Sequence, residues 1–287
     1  MKPISAETKL FGLLGHGASF SLSPVLHNYA AQALNKDLAY HYFDLAADDV
    51  ANFLDIFWKI GGIGLNITMP HKNHVAHLVD SDGAESVNTL VRSDTGWKGY
   101  STDGEGFLNG LAGDGVKISD FDVVILLGSG GAAQAILNSI AIATASRPPT
   151  VIAHRRGKEQ DQRLLRAFSV HESQILTLRS LSPDYVTDTL RQTKNSRRLL
   201  IQATSAPKNG DSLISYRSIL NEMTRDDFLV DLIYDQPSDL YFSAVARDLR
   251  CQDGLPMLIE QARLSQKLWW GVAASHNELR DACRVPR

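Results

Sequence analysis

The stretch VVILLGSGGAAQAILNSIAIA, residues 123–143, decides the predicted fold. Residues 123–127 form a short apolar run typical of a buried strand, and a glycine-rich turn then leads into an apolar helix over residues 132–143. Glycines permit a tight turn, and a helix N-terminus offers free N–H groups to a pyrophosphate. The order strand, glycine turn and helix therefore predicts a dinucleotide-binding domain of the Rossmann type.

Later apolar runs fit further strands of the same sheet. They lie at residues 151–153, 199–202 and 228–232. Residues 156–198 are polar with weak periodicity, so no element is predicted there. Strand-helix alternation of this kind is typical of a doubly wound, largely parallel sheet covered by helices.

The N-terminal part of the chain shows the same alternation. Strands are predicted at residues 10–14, 39–45, 63–67 and 87–91, and helices at residues 24–34, 48–60 and 71–79. A long amphipathic helix at residues 254–270 is expected to return to this part of the chain. We therefore expect two α/β domains with the active site in the cleft between them. Residues 1–104, completed by the C-terminal helices of residues 249–287, would bind substrate, and residues 105–248 would bind the dinucleotide.

Composition narrows the class of protein. The 287 residues are 44% hydrophobic and 21% charged, with a net charge of -3, so nothing attracts the chain generally to nucleic acid or anionic membranes. Only Cys251 and Cys283 occur, which fits a reducing compartment. The N-terminus lacks the pattern of a signal peptide. We expect a cytoplasmic protein, a monomer or homodimer, whose partner is a small-molecule substrate.

The end of the strand after the glycine turn indicates which dinucleotide is bound. An NAD site usually presents a carboxylate there to the ribose hydroxyls, but this chain has His154-Arg155-Arg156 and no acid before Glu159. Guanidinium groups bind phosphate bidentately, so the pattern favours NADP, which carries an additional 2′-phosphate. The alternative is a solvated basic loop.

A second informative stretch is Asn66-Ile67-Thr68-Met69-Pro70-His71-Lys72, which follows a short apolar strand. Proline is well placed at a helix start, so Lys72 is predicted in the first turn of a helix, where it could exchange a proton with a substrate. The alternative is a solvated lysine. His71, His74 and His77 do not predict a metal site, because a spacing of three residues turns about 60° backwards per step around a helix.

Six polar or glycine-rich segments follow one another along the chain. They are Ser21-Leu22-Ser23-Pro24, Asn66-Ile67-Thr68-Met69-Pro70-His71-Lys72, Ser86-Val87-Asn88-Thr89-Leu90, Ser101-Thr102-Asp103-Gly104-Glu105-Gly106, Gly128-Ser129-Gly130-Gly131-Ala132, and Asp253-Gly254-Leu255-Pro256-Met257-Leu258 with Gln261-Ala262. In this order, over nearly the whole chain, they resemble the motifs of the shikimate dehydrogenases.

The resemblance implies NADP-linked, reversible interconversion of 3-dehydroshikimate and shikimate, an oxidoreductase step of aromatic amino-acid biosynthesis. Lys72 and Asp103 would be the catalytic pair. Polar side chains would hold the substrate hydroxyls and carboxylate, and these are Ser21, Ser23, Thr68, Asn88, Thr102, Tyr234 and Gln261. Cofactor contacts are expected at Gly128, Ser129, Gly130, Gly131, Ala132, His154, Arg155, Arg156, Thr204 and Met257.

The sequence departs from the family pattern at several positions. Ser101 stands where asparagine is usual, His154-Arg155-Arg156 replaces Asn-Arg-Thr, and Gln202 replaces the asparagine of Asn-Ala-Thr-Ser. A paralogue acting on quinate or another cyclic polyol acid, with NADP or NAD, is therefore an alternative. A non-catalytic ligand-sensing module is another. Taken alone, Ser23 and Asp103 also suit helix caps.

Overall fold

The structure is a computed structural model that describes residues 3–144, 149–155, 164–165, 176–204, 214–235 and 238–284. Contacts divide the chain into two compact units, the first of Met1–Gly106 with Ile259–Arg287 and the second of Phe107–Leu258. The predicted boundaries lay near Gly104 and Asp248. The second division falls later because Cys251–Gln252 pairs as a strand within the second unit. Among the residues described, none of the helices has the length and apolarity needed to cross a membrane.

The first unit contains a five-stranded mixed sheet. Its strands are β1 (Lys9–Gly15), β2 (Leu38–Asp44), β3 (Gly64–Ile67), β4 (Thr89–Ser93) and β5 (Gly96–Tyr100). They lie in the order β2-β1-β3-β4-β5. β1 pairs in parallel with β2 and β3, whereas β4 is antiparallel to both β3 and β5.

The second unit contains a six-stranded sheet. Its strands are β6 (Val123–Leu127), β7 (Thr150–Arg155), β8 (Leu176–Ser180), β9 (Arg198–Gln202), β10 (Phe228–Asp231) and β11 (Cys251–Gln252). They lie in the order β11-β10-β9-β6-β7-β8, and each neighbouring pair is parallel. The strand order reverses between β6 and β9, which is the doubly wound arrangement of a dinucleotide-binding fold. The predicted Rossmann-type sheet is confirmed.

Helices cover both sheets. They are α1 (Ser23–Ala33), α2 (Val50–Lys59), α3 (Lys72–Ala76), α4 (Asp103–Gly113), α5 (Gly131–Ala143), α6 (Pro183–Gln192), α7 (Asp239–Val245), α8 (Leu255–Trp270) and α9 (His276–Arg284). Short 3-10 segments occupy Ala47–Asp49, Ile118–Asp120 and Ile214–Glu222. The division between the units falls inside α4 and α8.

Each sheet has its own apolar core. In α2 the buried residues Val50, Leu54 and Phe57 recur at helical spacing and pack on the first sheet. All five side chains of β6 are buried, with Val124 in a cluster that includes α5 and Ile125 in a cluster that includes α6. Full burial of each such side chain contributes about 1.5–3 kcal/mol. Because helices cover both of its faces, β6 reads in the sequence as a continuous apolar run.

Several elements of the first unit differ from the prediction. The sheet was expected to be largely parallel, but β4 and β5 form an antiparallel hairpin. β5 was missed because Gly96 and Gly99 interrupt its apolar pattern. α3 was expected to reach Val79, but it ends at Ala76, where His77 and Leu78 N–H groups donate to carbonyls three residues back. In the second unit, β8 and α6 lie within the polar stretch for which no element was predicted.

Candidate active site

The topology of the first sheet brings the predicted substrate residues to one edge. β1 and β3 are parallel, so the segments that follow them, carrying Ser21 and Thr68, leave the sheet at the same edge. Asn88 immediately precedes β4, whose start is paired with the end of β3 through Asn66 and Thr89. Thr102 follows β5, whose end is in turn paired with the start of β4. The hairpin that the sequence did not predict therefore supplies two of these residues.

Lys72 and Asp103 form the centre of this edge. Lys72 is the first residue of α3, and Asp103 is the first residue of α4. Lys72 Nζ lies 2.5 Å from Asp103 Oδ2, with the two side chains 16% and 6% exposed. An ion pair so largely withdrawn from water is screened weakly, so each charge orients the other strongly. The carboxylate of Asp103 thus pairs with the Lys72 ammonium, so Asp103 does more than begin a helix.

Asn88 connects Asp103 to its neighbours. Its Nδ2 donates to Asp103 Oδ1 at 2.9 Å, to Thr102 Oγ1 at 2.8 Å and to Gln261 Oε1 at 3.2 Å. Its Oδ1 accepts from the Thr102 N–H at 2.7 Å. Burying a side-chain amide costs free energy unless the amide is hydrogen-bonded, and both the nitrogen and the oxygen of this amide have partners in the cluster. Asn88 therefore holds the second oxygen of the carboxylate that Lys72 contacts.

Gln261 reaches this cluster because α8 packs very closely on α4. At Gly106 of α4, a Cβ atom would lie 2.7 Å from the Gln261 backbone nitrogen, so only glycine fits. Thr102 Oγ1 donates to the Gln261 carbonyl at 3.2 Å. The second glycine of Gly104-Glu105-Gly106 thus has a packing role, which brings Gln261 beside Asn88.

Ser21 and Ser23 lie together at the start of α1. Ser21 Oγ lies 3.2 Å from both Ser23 Oγ and Ser23 N, and both serines are buried. Ser23 is the first residue of α1, and Leu22 occupies the cap position without a side-chain hydrogen bond, so the helix-cap interpretation of Ser23 is wrong. Thr68 packs beside Gly15 at the end of β1.

Asn66 is a buried hub whose contacts the sequence did not predict. Its Oδ1 accepts from Tyr40 Oη at 2.8 Å, and its Nδ2 lies 3.1 Å from Thr89 Oγ1 and 3.0 Å from Ser265 Oγ. Ser265 Oγ in turn donates to the Gln261 carbonyl at 3.1 Å. The sequence drew attention to Asn66 only as the first residue of the motif that ends at Lys72.

The histidines of α3 are accounted for individually. His71 is buried, and its Nε2 lies 2.8 Å from the Leu45 carbonyl oxygen. His74 lies in α3 and His77 follows it. Among the residues that the structure describes, no group of three histidine, cysteine or acidic side chains is arranged to hold a metal ion.

The glycine turn of the second unit has the geometry of a phosphate-binding loop. Gly128 has φ of +120°, and a Cβ there would lie 2.8 Å from the Ala203 carbonyl oxygen, so this position requires glycine. Gly130 is the cap of α5, and no side chain caps that helix. Ser129 precedes this cap residue, and Gly131 and Ala132 lie in the first turn of α5. The first N–H groups of this 13-residue helix are therefore not capped by a side chain, as anion binding at a helix N-terminus requires.

Strand alternation separates His154 from Arg155 at the end of β7. The His154 ring is fully buried, with Nδ1 3.0 Å from the Ser180 carbonyl oxygen and Nε2 3.1 Å from Thr189 Oγ1 of α6. Burial lowers the pKa of His154, and nearby Arg179 and Arg155 lower it further. Arg155 points to the opposite face, on which α5 lies, and is 7% exposed. The structure thus gives His154 protein partners instead of joining it to Arg155. Arg156 lies outside the described residues.

Thr204 is held by Gln202, the residue that departs from the family pattern. Gln202 Oε1 accepts from the Thr204 N–H at 2.6 Å, and Gln202 Nε2 donates to the Thr204 carbonyl at 3.3 Å. Behind it, the buried Asp231 accepts hydrogen bonds from Ser238 Oγ and from the Ile233 N–H. Burial raises the pKa of Asp231. These supporting groups were missed, because their contacts join three separate segments.

Two further predicted residues lie in the second unit. Met257 is 9% exposed and packs in the core cluster with Phe107 and Ile136. Tyr234 is half-buried and follows β10 by three residues.

Comparison with known proteins identifies the family. The sequence model of the shikimate dehydrogenase substrate binding domain matches residues 13–90. The shikimate dehydrogenase (NADP(+)) of Caldanaerobacter subterraneus subsp. tengcongensis is 33% identical over 285 residues, covering 93% of this chain and 94% of that protein. The chain belongs to the shikimate dehydrogenase family. Another relative with the same name, from Alkaliphilus metalliredigens, is 30% identical, covering 93% of each protein.

Solved structures of shikimate dehydrogenases share the fold. The Aquifex aeolicus shikimate dehydrogenase has a TM-score of 0.82 and 26% identity, covering 99% of this chain and 100% of that chain. The Thermus thermophilus shikimate 5-dehydrogenase was solved in complex with NADP(H) and shikimate. It has a TM-score of 0.76 and 25% identity, covering 96% of this chain and 98% of that one.

Proposed function

We propose that this chain is an NADP-dependent shikimate dehydrogenase, which catalyses the reversible reduction of 3-dehydroshikimate to shikimate. The observation that carries the proposal is the Lys72–Asp103 ion pair, 2.5 Å long and fixed by Asn88. The family relatives, named for shikimate and NADP(+) and matched over most of their length, support the same reaction. A ligand sensor would need the hydrogen-bonding groups but not a largely buried lysine paired with a carboxylate.

The chemistry follows from what an ammonium does beside a ketone. When bound, the cofactor would supply the hydride as NADPH in the reduction and accept it as NADP+ in the oxidation. Lys72 stabilises the negative charge that develops on the substrate oxygen and donates the proton, and in the reverse direction it takes that proton back. Asp103 holds the Lys72 side chain in place, and Asn88 holds Asp103.

The substrate is a small polyol acid, which fits the neutral polar groups around this pair. We assign substrate contacts to the predicted side chains of the first unit, Ser21, Ser23, Thr68, Asn88, Thr102 and Gln261, and to Tyr234 of the second. Serine, threonine, asparagine and glutamine can match hydroxyls as donor or acceptor without adding charge. Residues 1–106 with 259–284 would thus supply most of the substrate contacts.

The second unit fits a dinucleotide. Gly128 lets the turn pass close to the Ala203 backbone, and Gly130 has open space where a Cβ atom would stand, which leaves room for a close approach of the ligand. The uncapped N-terminus of α5 suits the pyrophosphate. Arg155 is the residue that we assign to the 2′-phosphate, because strand alternation directs its side chain to the face of the sheet that carries α5. His154 would support the strand end through Ser180 and Thr189. We further infer a cytoplasmic enzyme, active as a monomer or homodimer.

The deciding experiment measures shikimate oxidation by the full chain, through the absorbance of the reduced cofactor. Shikimate and quinate are each tested with NADP+ and with NAD+. Turnover of shikimate with NADP+ well above the other three combinations is expected. Faster turnover of quinate would move the chain to a paralogous activity. Binding of shikimate without turnover under any combination would favour a sensor.

Replacing Lys72 tests the proton-transfer role. Lys72→Met should lower kcat about 100- to 10,000-fold, the range that general acid-base catalysis contributes, while shikimate binding measured by calorimetry changes little. Lys59→Met is the matched control, since Lys59 is exposed and its ammonium pairs with Asp55 of the same helix, α2. Near-normal turnover of Lys72→Met would remove this lysine from the mechanism.

A further inference from the structure

The loop between β1 and α1 is anchored to the end of β2. This loop, residues 16–22, carries Ser21 and leads into Ser23. The Ala18 N–H donates to Tyr42 Oη at 2.8 Å, and the Gly17 N–H donates to Asp44 Oδ1 at 3.0 Å. His16 Nδ1 lies 3.0 Å from the same carboxylate oxygen. Two side chains of β2 thus bind three consecutive loop residues.

A short chain of contacts joins Tyr42 to the serine pair. The Ala18 carbonyl oxygen accepts from the Ser21 N–H at 3.0 Å, so Ala18 is held at its N–H by Tyr42 and holds Ser21 through its carbonyl. Ser21 Oγ then contacts Ser23. Ala18, Ser21 and Ser23 are all buried, so a lost partner could not simply be replaced by bulk water.

Sheet geometry explains why Tyr42 and Asp44 act together. Residues two apart in a strand point to the same face, and the register pairs them with Leu13 and Gly15 at the end of β1, where the loop begins. Burial raises the pKa of Tyr42, and the Asp44 carboxylate raises it further. The phenol therefore stays neutral while its oxygen accepts from the Ala18 N–H.

We propose that Tyr42 and Asp44 are positioning residues that set Ser21 and Ser23 for substrate binding. This inference rests on the proposed function, in which the two serines contact shikimate. Tyr42 and Asp44 act through the loop and need no contact with the substrate themselves. Their removal should weaken substrate binding selectively, because the hydrogen bonds that Tyr42 and Asp44 make to the loop involve neither the Lys72–Asp103 pair nor the glycine turn.

Tyr42→Phe is the primary test, because it removes only the hydroxyl. The Kd for shikimate, measured by calorimetry on the full chain, should rise about five- to tenfold, as expected for one lost hydrogen bond to a buried N–H. The Kd for NADP+ and kcat should stay within about twofold of wild type. Tyr29→Phe, which removes an exposed hydroxyl from α1, is the matched control and should change neither constant.

Asp44 offers a conservative rescue. Asp44→Asn retains an oxygen that can accept from the Gly17 N–H, so its Kd for shikimate should stay within about threefold of wild type. Asp44→Ala removes that oxygen, so its Kd for shikimate should rise about fivefold or more. Equal losses in the two variants would overturn the role assigned to Asp44.

A double-mutant cycle decides whether Tyr42 acts through Ser21. In a Ser21→Ala background, Tyr42→Phe should have little further effect on the shikimate Kd, because the group it positions is gone. If Tyr42→Phe raised the shikimate Kd by the same factor in the wild-type and Ser21→Ala backgrounds, the proposal would be overturned. An equal rise in the Kd values for shikimate and NADP+ would overturn it too.

Hydrogen exchange separates this proposal from the proposed function. Tyr42→Phe should speed amide exchange at residues 16–23 and leave residues 128–136 unchanged. If wild type bound no shikimate, the proposed function would fail, yet faster exchange in this loop would still support the anchor. Unchanged exchange at residues 16–23 would overturn the anchor whatever the substrate.

Discussion

Replacing His27 by phenylalanine should make the first unit lose less stability at low pH. His27 lies in α1, is completely buried, and has no hydrogen-bond partner at either ring nitrogen among the described residues. Its ring stacks on Tyr40, with centroids 4.5 Å apart, and lies 5.1 Å from that of Trp269. Burial lowers the pKa of His27 from 6.5 to about 3, and the nearby Asn66 side chain offsets only part of that effect.

The size of the effect follows from proton binding. The folded protein keeps His27 neutral, whereas the unfolded chain binds a proton below about pH 6.5. Above that pH, protonation of His27 does not reduce the free energy of unfolding. As the pH falls from about 6.5 toward about 3, protonation of the unfolded chain lowers this free energy progressively. One proton corresponds to about 1.4 kcal/mol per pH unit, so His27 should remove about 2.5 kcal/mol from the free energy of unfolding between about pH 6 and pH 4. His27→Phe should lack this loss.

Tryptophan fluorescence during urea unfolding is the assay. All four tryptophans, Trp58, Trp97, Trp269 and Trp270, belong to the first unit, so the signal reports the unit that contains His27. The quantity to compare is the change in unfolding free energy between the two pH values, for wild type and for His27→Phe. Other titrating groups are common to both proteins and cancel in the difference.

His41→Phe is the control, because it removes an exposed histidine from β2 of the same unit. That variant should follow the pH dependence of wild type. If wild type and His27→Phe lost the same free energy between the two pH values, a neutral, unpartnered His27 could not be what the folded state contains.

Two further predictions concern the second unit. Arg155→Gln should lower the preference for NADP+ over NAD+, measured as a ratio of kcat/KM values, by about 10- to 100-fold, because one charged contact to the 2′-phosphate is lost; an unchanged ratio would return Arg155 to a structural role. Asp227→Ala should lower the free energy of unfolding by about 3–5 kcal/mol, because Arg198, 1% exposed, would keep a buried charge without its carboxylate. Calorimetry measures this loss, and a loss below about 1 kcal/mol would contradict it.

The second sheet shows how far local pattern reaches. β6 has the predicted bounds, because a strand covered on both faces must be apolar at every position. The glycine turn was equally readable, since Gly128 adopts a φ that other residues avoid. β8 and α6 were missed because their residues are mostly polar, and their structure depends on pairing with β7 and on packing.

The candidate site divides in the same way. The sequence predicted Lys72, Asp103 and Asn88 as site residues, but not that Asn88 would bind the carboxylate that Lys72 contacts. His154 and Arg155 were grouped as neighbours in the sequence, yet strand alternation sends their side chains to opposite faces of β7. The local sequence pattern therefore identified the candidate residues but did not show where their side chains point.

By itself, the sequence determined the α/β class, the glycine turn, the family and the identities of the candidate site residues, because each rests on a local pattern or an ordered series of motifs. Only the tertiary structure decided which groups meet. The β4–β5 hairpin carries Thr102 and Asp103 to the edge where Lys72 lies, Gly106 admits Gln261, and Tyr42 anchors the loop of Ser21. Such contacts join residues far apart in the chain, and their geometry depends on the register of strands and the close packing of helices.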